Sequence, residues 1–234
     1  MCGRVTQFER FAEIPRRLGL RVPAVAPRYN LAPTQPIVAL RRTDGALRCD
    51  LLRWGIPSVR PGRPAEPGSI HVNARSETAQ ELPTFRDAVR VRRCLVPVDG
   101  FFEWRNDGKV AVPFYFNQAE GAPLALAGLW SSQPGSEGAV ELTACLLTTA
   151  PNRDMSPIHA RMPVIVAEPD WQTWLTESAL SAEAWSRLVR PAADGLLRLR
   201  RVGAEVNRAA PDHPGLLVPA APESLQGDFL GELG

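Results

Sequence analysis

Apolar and polar positions alternate or run together over short spans along most of this chain, and few stretches keep a helical period. Apolar, β-rich runs fall at 37–40, 47–54, 94–98, 101–104, 112–116, 124–130, 142–149 and 164–166. Runs of three to eight such residues bounded by Gly, Pro, Asn and Asp predict strands. Helical spacing is confined to 7–18, interrupted by Pro15, to 84–91 and to 182–189, with a short helix opening at Pro169 and Asp170 and reaching Trp174. Long helices do not alternate with the strands, which argues against a doubly wound parallel sheet. The pattern predicts an α+β fold on largely antiparallel sheets.

Two polar excursions interrupt the pattern, at 59–69, rich in proline and glycine, and at 131–138, which reads as a hairpin connection. Residues 220–234 carry three acids and no base and read as a mobile acidic tail. No repeat or linker divides the body, so residues 2–219 are expected to form a single domain.

At 234 residues, with 44% hydrophobic and 22% charged residues, the chain has the composition of an ordinary globular domain. No apolar run approaches the roughly 18 residues of a membrane helix, and the N-terminus lacks the basic and apolar regions of a secretion signal. A cytoplasmic protein is expected, without membrane association. Cysteines at 2, 49, 94 and 145 show no CxxC spacing, so neither a zinc site nor a disulfide framework is signalled, and no metal or cofactor is expected. Cys49, Cys94 and Cys145 lie among apolar residues and read as core.

Charge changes the picture more than composition does. Residues 1–105 hold 18 arginines against 10 acids, while residues 106–234 hold 9 basic residues against 15 acids. A basic first half supplies a face for an anionic partner such as nucleic acid. Arginine outnumbers lysine 26 to 1, a bias that GC-rich coding produces by itself, so the placement of arginines is more informative than their number.

The candidate chemistry begins at the N-terminus, Met1-Cys2-Gly3-Arg4. A small second residue permits removal of the initiator Met, which leaves Cys2 terminal. Its α-amine and thiol then have reference pKa values of about 7.7–8.0 and about 8.5, so both are partly deprotonated near neutral pH. Such a 1,2-aminothiol condenses with an aldehyde to an imine, which the thiol closes to a thiazolidine, and proximity makes the closure effectively intramolecular. Three further islands are rich in reactive groups: 72–78 with Asn73 and Arg75, 99–104 with Glu103 between Phe102 and Trp104, and 156–163 with His159 and Arg161. Taken singly, each also reads as a turn, an exposed strand or a solvated surface.

Together these islands resemble the SRAP (SOS-response-associated peptidase) family. The resemblance rests on 1–4, on Arg28-Tyr29-Asn30-Leu31-Ala32-Pro33-Thr34-Gln35, on Arg53-Trp54-Gly55, on 73–78, on 97–104 and on 158–164, and it extends to a closing segment at 201–219. It implies the SRAP fold, a single α+β domain of mostly antiparallel, curved β-sheets with a few flanking helices. It also implies covalent capture of abasic sites, chiefly in single-stranded DNA and at single-strand/duplex junctions, by a monomer. Cys2 forms the thiazolidine with the ring-opened sugar, Asn73 holds the terminal amine and the sugar, Glu103 moves protons, and His159 donates a proton near the sugar. Arg4, Arg75 and Arg161 contact phosphates, and Trp54 lies near the bases. The setting of Glu103 between Phe102 and Trp104 predicts a raised pKa, which suits a group that both accepts and donates protons. One departure stands out: the stretch after Trp54 is a residue shorter than is common in the family, with Val59 where a second Trp is expected.

Two other functions remain open at this point. One is a thiol peptidase or N-terminal-nucleophile hydrolase with Cys2 as nucleophile and His159 as base, and self-removal of Met1 as its mildest form. The other is a non-catalytic reader of modified bases. Strand-cleaving lyase activity is an extension of the first reading, because an imine acidifies the neighbouring sugar proton. Only abasic-site capture uses every island.

Overall fold

The structure, a computed structural model, describes residues 2–58, 69–108, 110–134, 139–176 and 178–221. Met1, Val59, most of the 59–69 excursion, the hairpin tip at 135–138 and the tail beyond 221 lie outside the described residues.

The fold is α+β, with mostly antiparallel sheets, few short helices and one body. Its strands are β1 (Arg4–Gln7), β2 (Arg28–Leu31), β3 (Pro36–Thr43), β4 (Ala46–Trp54), β5 (Ile56–Pro57), β6 (Ile70–His71), β7 (Asn73–Arg75), β8 (Arg93–Val98), β9 (Gly100–Asp107), β10 (Val110–Gln118), β11 (Leu124–Pro134), β12 (Val140–Thr149), β13 (Met162–Pro163) and β14 (Leu197–Arg201). The helices are α1 (Glu13–Arg17), α2 (Arg86–Val91), α3 (Trp171–Trp174) and α4 (Ala182–Leu188).

One sheet is open and antiparallel, in the order β14-β10-β9-β1-β2. The other closes on itself. β11 pairs with β8, β8 with β3, β3 with β4, and β4 with β12, which returns to β11 from Gly128↔Leu146 to Pro134↔Val140. The β4–β12 join is parallel, and β7 continues the same parallel edge further along β12. Closure gives each of these five strands a partner on both sides. Inner residues alternate as a strand requires: Leu124 and Leu126 of β11 and Ala144 and Leu146 of β12 face a core shared with the open sheet. Ala125, Ala127, Leu129, Cys145 and Leu147 face a second core covered by α2, α3 and α4.

The two sheets are joined through β1. Gln7 is 2% exposed. Its amide donates to Val38 O at 2.9 Å and to Pro97 O at 2.8 Å, while its Oε1 accepts from Val38 N at 2.9 Å. The β3–β8 ladder pairs Leu40 with Leu95 and Arg41 with Cys94, a register that continues to Val38 opposite Pro97. Pro97 has no N–H to give there, and the Gln7 amide stands in as the missing rung. One residue earlier, Thr6 Oγ1 lies 2.9 Å from Tyr115 Oη, which crosses directly over Gly100. A Cβ on Gly100 would come within 2.4 Å of that hydroxyl, so the position requires glycine. Beyond Gln7, Asp99 accepts the backbone N–H groups of Phe8, Glu9, Arg10 and Phe11 and turns the chain into α1.

The structure corrects the sequence reading in several places. Residues 7–18 are not one helix: Gln7 ends β1, Arg10–Ala12 is a single 3-10 turn, and only Glu13–Arg17 is α-helical. Pro15 is tolerated because it lies in the first turn, where N–H groups have no intrahelical partner. Residues 164–166 contribute an isolated bridge, Leu126↔Ile165, and the paired strand precedes them at Met162–Pro163. β1, β2, β7 and β14 were not expected as strands. Of the core cysteines, Cys94 and Cys145 are fully buried and Cys49 is partly buried. The closing segment adds 3-10 turns at Ala204–Asn207 and Pro214–Leu217 and packs Val206 and Leu216 on Phe102 and Tyr115.

Replacing Gln7 by methionine keeps its volume but strips three buried backbone groups of their partner. At about 1–3 kcal/mol for each orphaned group, the variant is expected to lose roughly 3 kcal/mol or more. A lowered denaturant midpoint with an unchanged slope would show it, and an unchanged midpoint would dismiss the rung.

Candidate functional site

β1 carries the N-terminus to the interior edge of the open sheet. Its register on β9, with Arg4 opposite Phe102 and Val5 opposite Phe101, brings the residues before Arg4 alongside Glu103. Cys2 is 1% exposed and belongs to the core shared by the two sheets. Asn73 reaches it from β7, with Nδ2 donating to Cys2 O at 3.0 Å. Asn73 is placed there by the parallel ladder on β12, opposite Leu146. Its Oδ1 is buried and has no hydrogen-bond partner among the described residues. An acceptor left open beside the terminal residue is ready for a donor, such as an amine or a sugar hydroxyl.

Glu103 comes from β9 and is 2% exposed. Its neighbour across the ladder is Phe114, which faces the shared core, as does Phe101. Phe102 and Trp104 pack on the opposite face, under the closing segment. The expectation that these two aromatics flank the carboxylate is therefore corrected, because successive strand residues point to opposite faces. Its raised pKa stands for a different reason: burial in the cleft between the sheets pushes the carboxyl above its ordinary range, with the nearby charge of His159 pulling the other way. The same burial pushes the Cys2 thiol up, and the Glu103 carboxylate adds to that shift.

His159 sits on the loop before β13, anchored by the buried Met155 and Ile158 and by its own N–H to Met155 O at 3.0 Å. Its Nδ1 lies 3.0 Å from Arg161 N and 3.1 Å from Arg161 O. A donor and an acceptor at one ring nitrogen serve it in either protonation state: bare, it accepts the N–H, and protonated, it donates to the carbonyl. Cys2, Asn73, Glu103 and His159 thus converge from four separate segments.

The expected DNA contacts divide differently. Arg75, on β7 two residues from Asn73, is exposed at the rim. Arg161 lies beside it, but both of its terminal nitrogens meet Glu77, at 2.6 and 2.8 Å. Arg4 is on the far face, where Nη1 donates to Asn30 Oδ1 at 3.1 Å and to Val206 O at 2.7 Å, and its guanidinium lies over Trp104. Its role here is to fasten the closing segment to β1 and β2. Trp54 is 0% exposed, with Nε1 donating to Val72 O at 3.0 Å, so no ring face is open to a base. Its place is structural, at the join of β4 and β12.

Asn30 and Asp212 were not singled out by the sequence reading. Asn30 Nδ2 donates to Arg208 O and Pro211 O, and Asp212 accepts from Arg28 and from the N–H groups of Tyr29 and Asn30. Their traces in the sequence were the two stretches that contain them, 28–35 and the closing segment 201–219. A groove of about 370 Å³, lined by Ile14, Leu124, Trp171 and Leu188 among others, lies elsewhere and includes none of the four converging residues. Among the described residues no group of three or more metal-ligating side chains is gathered, and no helix is long and apolar enough to cross a membrane.

The family model of the SOS response associated peptidase (SRAP) matches residues 1–209. Abasic site processing protein YoqW of Bacillus subtilis (strain 168) is 32% identical over 223 residues, covering 93% of this chain and 99% of that protein. Abasic site processing protein YedK of Escherichia coli (strain K12) is 28% identical over 191 residues, covering 79% and 83%. Abasic site processing protein HMCES of Gallus gallus is 27% identical, covering 86% of this chain and 68% of that protein. Among solved structures, a Bacteroides thetaiotaomicron protein aligns with a TM-score of 0.80 at 22% identity, covering 94% of this chain and all of the other, which shows the common fold.

A carboxyl whose pKa is raised by folding destabilises the native state once it ionises. Its contribution is favourable below the unfolded value, about 4.3, and is lost as pH rises through the folded one. Glu103→Gln should therefore unfold at a higher temperature than the unaltered protein near pH 7, with the advantage fading as pH falls toward 4. A variant less stable than wild type at neutral pH would contradict the burial argument.

Proposed function

The chain belongs to the SOS response associated peptidase (SRAP) family, and from that membership and the geometry at Cys2 we propose that it processes abasic sites in single-stranded DNA by covalent capture. The observation that carries the proposal is the convergence on Cys2 of the open Asn73 acceptor and the buried Glu103 carboxyl. Relatives named abasic site processing proteins support the substrate.

The reaction begins once Met1 is removed and Cys2 has a free α-amine. The sugar ring opens to the C1′ aldehyde as Glu103 takes the proton of the C1′ hydroxyl and His159 delivers one to the ring oxygen. The neutral amine adds to C1′, giving a carbinolamine, and Asn73 Oδ1 accepts an N–H to hold the amine in place. Glu103, protonated during ring opening and favoured in that form by burial, gives its proton to the departing hydroxyl, and one water leaves as the iminium forms. The Cys2 sulfur then attacks the iminium carbon, the C=N electron pair returns to nitrogen, and the thiol proton passes to Glu103. One C–N bond and one C–S bond have formed, one water has been lost, and the product is a thiazolidine. Before closure the imine acidifies C2′–H, so strand cleavage is a side reaction that closure suppresses.

A raised thiol pKa suits this order of events. Thiol peptidases begin from a thiolate, which burial disfavours here, whereas amine-first condensation needs the sulfur only at the last step, when the electrophile is already tethered. A non-catalytic reader has no use for a terminal nucleophile. Arg75 supplies the phosphate contact nearest Cys2.

Cys2→Ala should abolish the denaturation-resistant adduct with an abasic single strand. For the unaltered protein, intact mass should equal protein lacking Met1 plus DNA less one water. An undiminished adduct in Cys2→Ala would refute the assignment. Glu103→Gln should slow adduct formation by about 10²-fold, the usual contribution of a general acid or base, while DNA affinity changes less than about twofold. Equal rates in the two proteins would remove Glu103 from the mechanism.

A further inference from the structure

Glu77 takes no part in the condensation, yet it occupies the position a phosphate would take at the rim. Arg161 presents Nη1 and Nη2 to Glu77 Oε1 and Oε2, a two-pronged contact at 2.6 and 2.8 Å. The same Nη2 is fixed from behind by Thr148 O at 2.6 Å. A guanidinium fork matches a carboxylate and a phosphate alike. The two partners differ in freedom: the Arg161 side chain is 18% exposed and that of Glu77 is 50% exposed. The arginine is held by the barrel, and the acid lies on the solvent side.

Two further observations point to an exchangeable contact. The hydrogen bonds from Arg161 hold the Glu77 carboxyl below its ordinary range, and the charge of Arg75 adds to the shift, so Glu77 stands between two arginines. Arg161 Nε is also buried with no partner among the described residues. A pair kept for stability alone would be expected to leave no buried donor unsatisfied.

Building on abasic-site capture, we infer that Glu77 is a specificity-determining residue, a carboxylate that fills the Arg161 fork in place of a backbone phosphate. When a strand binds, its phosphate enters the fork and Glu77 turns out to water, with no covalent bond made or broken. The internal acid lowers the affinity for every strand alike. Intact DNA therefore leaves quickly, and only a strand with an aldehyde to offer Cys2 is retained. Discrimination is moved from binding to chemistry.

The test uses the whole chain with Met1 removed and an undamaged single-stranded oligonucleotide, with anisotropy read across a salt series. Glu77→Gln should bind about tenfold tighter at low salt, and its log–log salt slope should steepen by about 0.7, the value for one added phosphate contact on a single strand. Combining Glu77→Gln with Arg161→Gln should erase the gain. Equal affinity and slope in wild type and Glu77→Gln, or a gain that survives loss of Arg161, would overturn the inference. In the unaltered protein, the Glu77 carboxyl 13C signal should titrate below the ordinary range and move back toward it when the undamaged strand saturates the site. A titration unmoved by DNA overturns the inference even if the variants do not fold. Adduct formation by the unaltered protein on an abasic strand, run alongside, separates the two claims: no adduct removes the abasic-site reading, while an adduct with unchanged Glu77→Gln affinity removes only the role of Glu77.

Discussion

A single buried amide holds the two halves of this molecule in register. Gln7 inserts where Val38 and Pro97 would face each other, and it supplies the rung that a proline cannot. The consequence reaches the other end of β1. Chain termini are ordinarily the least ordered part of a domain, but in the proposed reaction the terminus is the reactive part, and a nucleophile must be held within a fraction of an ångström to gain from proximity. β1 is only four residues long, Arg4–Gln7, so its fixation depends on each side chain it carries. Gln7 ties it to the barrel, Thr6 to Tyr115, Val5 to the shared core, and Arg4 to Asn30 and Val206. The Arg4 contact, which looked like a phosphate grip in sequence, belongs to this fastening.

The same physics decides what the sequence revealed and what it concealed. β3 and β8 were legible because both faces are buried and the apolar run is continuous. β1, β2 and β7 were not, being three or four residues long with polar side chains whose partners lie far away in sequence. Gln7 looked like the start of a helix because nothing local marks it as a rung between residues 31 and 90 positions distant. The four converging residues were legible through the islands that contain them, but their geometry was not. Glu103 was credited to Phe102 and Trp104, although strand alternation places those rings on the other face. Trp54 and Arg161 show the general difficulty: residue type announces a capacity to stack or to bind phosphate, and only packing shows whether a face or a fork is free.

Burial runs through the site as a single cost with several uses. Removing Glu103 from water raises its pKa, which is unfavourable for stability at neutral pH and, in the proposed reaction, favours the protonated form that a general acid uses. Removing Cys2 from water raises the thiol, which guards it against adventitious chemistry with other electrophiles. In the proposed reaction neither shift impedes an aldehyde that first meets the amine. Once the imine exists, the thiol is intramolecular and a small thiolate fraction suffices, because effective concentrations in such closures reach about 10⁵ M or more.

On the proposed function, strong binding through arginine would bring little advantage beside Cys2. Each arginine that grips a phosphate strengthens binding to every strand, damaged or intact, and abasic sites are vastly outnumbered by intact nucleotides. Tight non-specific binding would leave the protein parked on the wrong sites. A covalent step has no such competition, since an intact nucleotide has no aldehyde to give. A site of this kind gains more from a weak, quickly exchanged encounter followed by an irreversible-seeming bond than from a strong encounter. Among the described residues, Arg75 exposed at the rim, Arg161 engaged by Glu77 and Arg4 turned to structural use fit the proposed division of labour.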